Sequence, residues 1–222
     1  MSPSPRLLFI SAIFITALIA ANTIAVKLIN VGSWTLPAAV IVFPLSYIFG
    51  DILTEVYGFR WARRIIWLGF FCNLIFVFFV WLGGVLPASP LWEGQDAYQA
   101  ILGFAPRVLL ASFAGYLVGE FTNSMILSRL KLATRGRWLW LRTIASTVVG
   151  QGLDTTVFIT IAFAGPSFMP VIIIYHWLAK VAIEVAATPL TYRVVSYLKR
   201  KDGTDAWDER VSLNPFSFKG PA

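Results

Sequence analysis

Asp51 and Glu55 stand four residues apart, so a helix through them carries both carboxyls on one face. Glu120 and Asn123 share a face in the same way, as do Gln151 and Asp154, with Thr147 and Thr155 close by. His176, Lys180 and Glu184 form a stripe at four-residue steps, and Asn22 adds an amide nearer the N-terminus. Carboxyls and amides grouped like this accept hydrogen bonds from N–H groups and can pass protons between acids. They do not compose a familiar hydrolytic or metal site. His176 is the only histidine, and there is neither an HExxH pair nor a GxSxG turn. No phosphate-cradling or dinucleotide glycine motif occurs either, so direct ATP use is not expected and no cofactor is implied. The rival from another class is an intramembrane enzyme built on His176 and the neighbouring acids.

What positions these groups follows from the solvent the chain must live in. Of its 222 residues, 58% are hydrophobic and only 13% charged, with a mean hydropathy of +0.74. Soluble domains carry about 25% charged residues. Lipid is the solvent that suits such a surface. The formal charge of +7 could suggest nucleic acid, but the basic residues cluster in loops, which suits a membrane protein better. Cys72, beside Phe71, is the single cysteine and reads as a buried thiol; no internal disulfide is possible.

Crossing about 30 Å of hydrocarbon takes about 20 helical residues. Six windows qualify, near 7–29, 36–57, 65–86, 107–127, 143–165 and 171–198. The fold class expected is an all-α bundle of six transmembrane helices over residues 1–201, followed by a polar, poorly ordered cytoplasmic tail, 202–222. Residues 7–29 are too long for a signal-peptide core and read as the first span. Basic residues follow the second window (Arg60, Arg63, Arg64), the fourth (Arg129, Lys131, Arg135, Arg137, Arg142) and the sixth (Lys199, Arg200, Lys201). Loops 30–35, 87–106 and 166–170 contain no Lys or Arg. That asymmetry predicts both termini on the cytoplasmic side. No soluble domain remains for a catalytic head.

Asp51, Glu120 and Glu184 each precede an arginine (Arg60, Arg129, Arg193) by nine residues, roughly 13 Å along a helix. The three acids are therefore expected in one layer near the membrane centre. Interhelical glue is the plain alternative for any one of them, with Lys180 neutralising an acid. A core needing only glue would use Ser, Thr and Asn. The excess of acids over Lys27, Lys180 and His176 favours a polar cavity that binds a solute. Ala17, Ala21 and Ala25 make a small-residue seam, for packing within the bundle or for a partner. Pro44 and Pro189 fall inside predicted helices, and Pro44 could open the backbone beside the acids. Trp34, Trp81, Trp92 and Trp138 read as interfacial anchors.

The chain resembles the queuosine-precursor transporters, the vitamin uptake transporter group of six-helix membrane proteins. The likeness rests on Pro44-x-Ser46-Tyr47-Ile48-x-Gly50-Asp51-x-x-Thr54-Glu55-x-Tyr57-Gly58, on Gly119-Glu120-x-x-Asn123, and on Gly150-Gln151-x-x-Asp154-Thr155. It extends from Asn22 to Arg193. The resemblance implies uptake of 7-cyano-7-deazaguanine or its aminomethyl relative across the bacterial inner membrane, for tRNA modification. A carboxylate would accept the adjacent N–H and exocyclic amine of such a base, an amide (Asn123 or Gln151) would meet its carbonyl, and Tyr47, Tyr116 or Trp177 would stack on the ring. Ser46 and Asn22 complete the candidate set. A stand-alone transporter and the substrate-binding subunit of an ATP-driven, energy-coupling-factor-like importer both fit. A homo-oligomer is open too.

Overall fold

The structure, a computed structural model, describes residues 4–25, 27–32, 34–103, 106–163, 170–208 and 211–217. Helix α1, Pro5–Ile24, starts where Ser4 Oγ accepts from the Leu7 amide at 3.1 Å with Pro5 in the first turn. It ends short of the predicted 29. Leu28–Val31 (β1) and Trp34–Pro37 (β2) instead pair antiparallel, in a register running from Leu28↔Pro37 to Val31↔Trp34. Their β-branched and aromatic residues suit a hairpin, and Gly32 at φ +62 supplies the conformation other residues resist. The fold is thus helical apart from this ribbon. Lys27 lies outside α1 and is exposed, so it balances none of the interior acids.

The second predicted span divides into a 3-10 turn, Ala38–Ile41, helix α2, Phe43–Ile52, and a π-helical turn, Leu53–Tyr57. Pro44 sits in the first turn of α2, where its missing N–H costs no ladder bond, so it does not open the helix. The irregularity comes nine residues later, in the π turn that carries Glu55. Gly58 at φ +85 then reverses the chain. Arg60 accordingly lies on the next helix, and its separation from Asp51 does not measure depth along α2.

Helix α3 spans Phe59–Val85, α5 Pro106–Ala133, α6 Leu139–Phe163 and α7 Pro170–Asp202; a short α4, Gln95–Ile101, lies between α3 and α5. All four long helices overrun their predicted windows at the basic end, because those windows stopped at the charges. Arg63, Lys131 and Arg142 are buried within helices, not displayed in loops. The predicted end of the fifth window, 164–165, and most of the loop 166–170 lie outside the described residues. Pro189 is inside α7.

Among the described residues, five helical segments are long and apolar enough to cross a membrane: Pro5–Ile24, Ala38–Tyr57, Phe59–Val85, Leu139–Ile161 and Ile173–Asp202. The chain is a multi-pass membrane protein. Helix α5, with 28 residues, reaches about 42 Å but is not among these five. The 38–57 segment is the most enclosed, its Ile48, Ile52 and Leu53 packing with Phe14 and Leu18 of α1, Phe59 and Ile66 of α3 and Tyr116 and Phe121 of α5. Phe71, Leu74, Phe78 and Phe79 of α3 face outward, as lipid contact requires. Cys72 is half-exposed.

Helices α5 and α6 meet at glycines. A Cβ on Gly119 would lie 2.5 Å from the Tyr47 hydroxyl, 2.6 Å from Asp154 Cβ and 2.9 Å from the Gly150 carbonyl oxygen. Only a hydrogen fits there. Gly119→Ala should therefore lower the unfolding midpoint in detergent by the equivalent of about 1–3 kcal/mol; an unchanged midpoint would show that the two helices are not in backbone contact. Ala17 and Ala21 are buried within the bundle, with Ala25 half-buried, so most of that seam serves packing.

The tail departs most from expectation. Asp208 accepts from the Phe59 amide at 2.9 Å and from Ser128 Oγ at 2.7 Å. Arg63 donates to the carbonyls of Ser212 and Asn214, and the Trp67 indole N–H to that of Pro215. The described tail residues are thus packed on the basic end of α3 and α5. Composition marked the segment as polar; it could not show that buried donors of other helices lack acceptors until the tail arrives.

Candidate functional site

The polar residues expected to act converge on a column through the bundle, its levels set by α2, α5, α6 and α7. Nearest the hairpin end, Lys180 donates to Asp154 Oδ2 at 2.6 Å and to Thr155 Oγ1 at 3.3 Å, and both ion-pair side chains are buried. This pair matches the neutralising role open to Lys180. His176 lies one turn away, buried, with Nε2 unpartnered. Asn22, His176, Lys180 and Asp154 border a cavity of about 40 Å³ with Ser112 and Phe158.

The middle level holds Glu120, Asp51, Asn123, Gln151 and Glu184, each 1% exposed or less. Asn123 Nδ2 donates to Asp51 Oδ1 at 2.6 Å. Glu184 and Glu120 are both within electrostatic reach of Asp51, and Glu120 is within reach of Asp154 and Glu184. Acids of three helices thus lie near one another, although the nine-residue spacing to Arg60 is no measure of depth for Asp51. Glu120 lies against Gly50, whose Cβ, if present, would overlap its Oε1. Tyr47, Tyr116 and Ser46 are buried alongside; the Tyr116 hydroxyl is unpartnered, and its ring meets Phe14 with centroids 6.4 Å apart.

Unmet hydrogen-bonding capacity is concentrated here. Both oxygens of Glu120 and of Glu184, Asp51 Oδ2, Asn123 Oδ1 and Gln151 Oε1 are buried without a partner among the described residues. Native interiors pair such atoms almost without exception, and leaving them unpaired costs about 1–3 kcal/mol each. Such acceptors are open to N–H groups or protons. Trp177 is not part of it: its indole N–H donates to the Val148 carbonyl at 2.9 Å, packing α7 on α6.

The lowest level centres on Glu55, which belongs to a different environment from Asp51. Its Oε1 is 3.1 Å from Arg142 Nη2, 2.7 Å from Lys199 Nζ and 3.6 Å from Lys131 Nζ. Three cations on one buried carboxylate join α5, α6 and α7 to the π turn. Arg142, 1% exposed with Nε and Nη1 unpartnered, was read from sequence as a loop charge. Its signal lay in the stripe Arg142, Ser146, Thr147, Gln151, Asp154, Thr155, a polar face of α6 continuing past the span boundary. Thr54 and Ser124, joined at 3.1 Å, were likewise missed as a link between the two lower levels.

A larger cavity, about 470 Å³, lies elsewhere, among α1, α3 and α4, and is lined mainly by apolar side chains such as Val77, Phe78 and Trp81. It lacks charged groups and the orphaned acceptors, so its size does not make it the site. It shares Asn22, Ala25 and Ser112 with the small cavity. At about 40 Å³ that small cavity is far below the ≈ 300–1,000 Å³ of ligand pockets. Admitting a bicyclic solute requires the helices to part.

A buried column of acids, amides and cations running through a lipid-exposed bundle is the interior of a membrane transporter rather than of an enzyme. Comparison with known proteins agrees: residues 37–194 match the family described as "Putative vitamin uptake transporter", and the chain belongs to that family. It is similar to the "Probable queuosine precursor transporter" of Bacillus subtilis, 32% identical over 182 residues, 79% of each chain. It is also similar to the "Queuosine precursor transporter" of Escherichia coli, 28% identical over 155 residues, 69% of this chain and 63% of that one. The Haemophilus influenzae "Probable queuosine precursor transporter" is 30% identical over 121 residues, 54% of this chain and 49% of that protein. No solved structure matches.

Proposed function

We propose that this protein imports a queuosine precursor, 7-cyano-7-deazaguanine or 7-aminomethyl-7-deazaguanine, across the bacterial inner membrane. The observation that carries the reading is Glu120: buried, with both oxygens unpartnered among the described residues, and within electrostatic reach of Tyr47 and Tyr116. A deazaguanine presents its ring N–H and exocyclic amine on one edge, which a single carboxylate accepts in parallel. Asp51, Asn123 and Gln151 would meet the remaining polar edge, the two tyrosines would hold the ring faces, and Glu184 and His176 would take up or relay protons. Asp154, Thr155, Lys180, Asn22 and Ser46 would shape the outer approach. The names of the three relatives support the substrate class.

In this reading α5 is a sixth span, and both termini face the cytoplasm, a reading that the clustering of Lys and Arg at one end supports. The chain acts alone: the buried Ala17 and Ala21 offer an energising partner no seam. Purified protein in liposomes should take up labelled 7-deazaguanine saturably, competed by the cyano and aminomethyl bases and poorly by bases lacking the paired N–H edge. Uptake seen only with added ATPase subunits would sink the stand-alone reading. Absence of both binding and uptake for the whole panel of guanine, the two deazaguanines and queuine would sink the substrate class.

A further inference from the structure

The tail reaches the lowest level of the polar column. Lys131 Nζ is 2.5 Å from Asp205 Oδ1, and Lys199 Nζ is 2.9 Å from the same oxygen. Both lysines also face Glu55. Glu55, Lys199, Asp205 and Lys131 thus form a closed ring of alternating charge joining the π turn, α5, α7 and the tail, with Arg142 of α6 on its inner side. Without Asp205 three cations would share one carboxylate. The Lys131 ammonium further donates to the carbonyls of Glu55 and Ala206 at 2.7 Å, and the Ala206 amide to that of Val56 at 3.1 Å. Asp202, at the end of α7, accepts from Ser4 and from the Tyr57 hydroxyl and pairs with Arg6, which ties α1 to the same corner.

The position of the ring gives it a role. Glu55 is one turn beyond Asp51, and Ser124, bonded to Thr54, lies between the two levels. A solute leaving the acid layer toward the basic face must pass the ring. We propose that the tail segments 203–208 and 211–217 are a strap across the basic end of the bundle, and that Asp205 latches it by completing the charge ring on Glu55, so that the strap must lift for the permeant to leave. This rests on the transport reading, since only a permeant needs an exit.

The latch is suited to opening. Asp205 keeps 44% of its side-chain surface in water, and exposed pairs hold weakly, whereas Glu55 and Arg142 behind it are buried. Burial pushes the Asp205 carboxyl up, but hydrogen bonds from Lys131 and Lys199 outweigh that and hold it below its ordinary range. It is therefore ionised and paired at neutral pH.

Two measurements on the full-length chain test this, both in a Cys72→Ser background. In the first, Ser124→Cys reports access to the column: a membrane-impermeant maleimide applied from the basic face should label it slowly, and Asp205→Asn should speed labelling about tenfold. Equal rates with and without Asp205→Asn, in folded protein, would overturn the latch. In the second, Ser128→Cys with Asp208→Cys pins the strap to α5 where the native oxygens are 2.7 Å apart. Oxidation should stop uptake and a reductant restore it; failure of the cross-link to form, or uptake unaffected by it, would overturn the strap. The labelling arm needs no substrate, so its outcome stands whatever base is carried.

Discussion

Asp51→Asn and Glu120→Gln will each abolish uptake of the base while leaving the protein inserted and folded. The two substitutions remove the same charge from different settings. Glu120 has no hydrogen-bond partner among the described residues, so Glu120→Gln breaks no bond seen there and removes only what a solute or proton would use. Its unfolding midpoint should be unchanged or higher, because a buried carboxylate is costly to keep charged. Asp51 accepts from Asn123 at 2.6 Å, and Asp51→Asn also weakens that contact, so a modest loss of stability is expected as well. Hydrogen bonds to charged groups contribute about 1.5–3 kcal/mol, which converts to roughly 10- to 150-fold in affinity for each position. Uptake in liposomes or cells, read beside detergent unfolding, separates the two effects. Wild-type uptake in both variants would show that the layer is interhelical glue.

Much of this arrangement was legible in the sequence because helical periodicity is strict. Asp51, Glu120, Asn123, Gln151, Asp154 and Glu184 fall on inward faces by spacing alone, and an acid on a lipid-facing surface would be too costly to keep. Where periodicity breaks, the reading failed. Lys27 was assigned to α1, but Gly32 and the β-branched residues around it favour a hairpin whose pairing no local count reveals. The π turn at Leu53–Tyr57 and Gly58 interrupt what looked like one ruler from Asp51 to Arg60.

The charges at the basic end of the bundle were misread for a related reason. A positive charge following an apolar run is taken as solvent-exposed, which is correct for Arg135 and Arg137. Arg63, Lys131 and Arg142 are instead buried because acceptors reach them from distant segments: the tail's carbonyls and Asp205, and Glu55. Those partners lie 74 to 151 residues away in sequence. Long-range pairing of that kind leaves no trace in a local window, and the same contacts turned an expected loose tail into a docked one.

Arg142→Met is the second substitution with a large expected effect, this time on stability. Arg142 and Glu55 are both 1% exposed, and removing one partner from a buried pair costs about 3–5 kcal/mol. The lower end applies to Arg142→Met, since Lys199 at 2.7 Å and Lys131 at 3.6 Å still face Glu55. Glu55→Gln should be the harsher change: it leaves a guanidinium whose Nε and Nη1 already have no partner without its counter-charge. The double variant Arg142→Met/Glu55→Gln removes the buried charge pair together, so it should recover most of the loss and be more stable than Glu55→Gln alone. Unfolding midpoints of the four proteins in detergent close the cycle. Strict additivity, with the double variant as unstable as the sum of the singles, would mean that the two groups are not coupled and that Arg142 is buried for another reason.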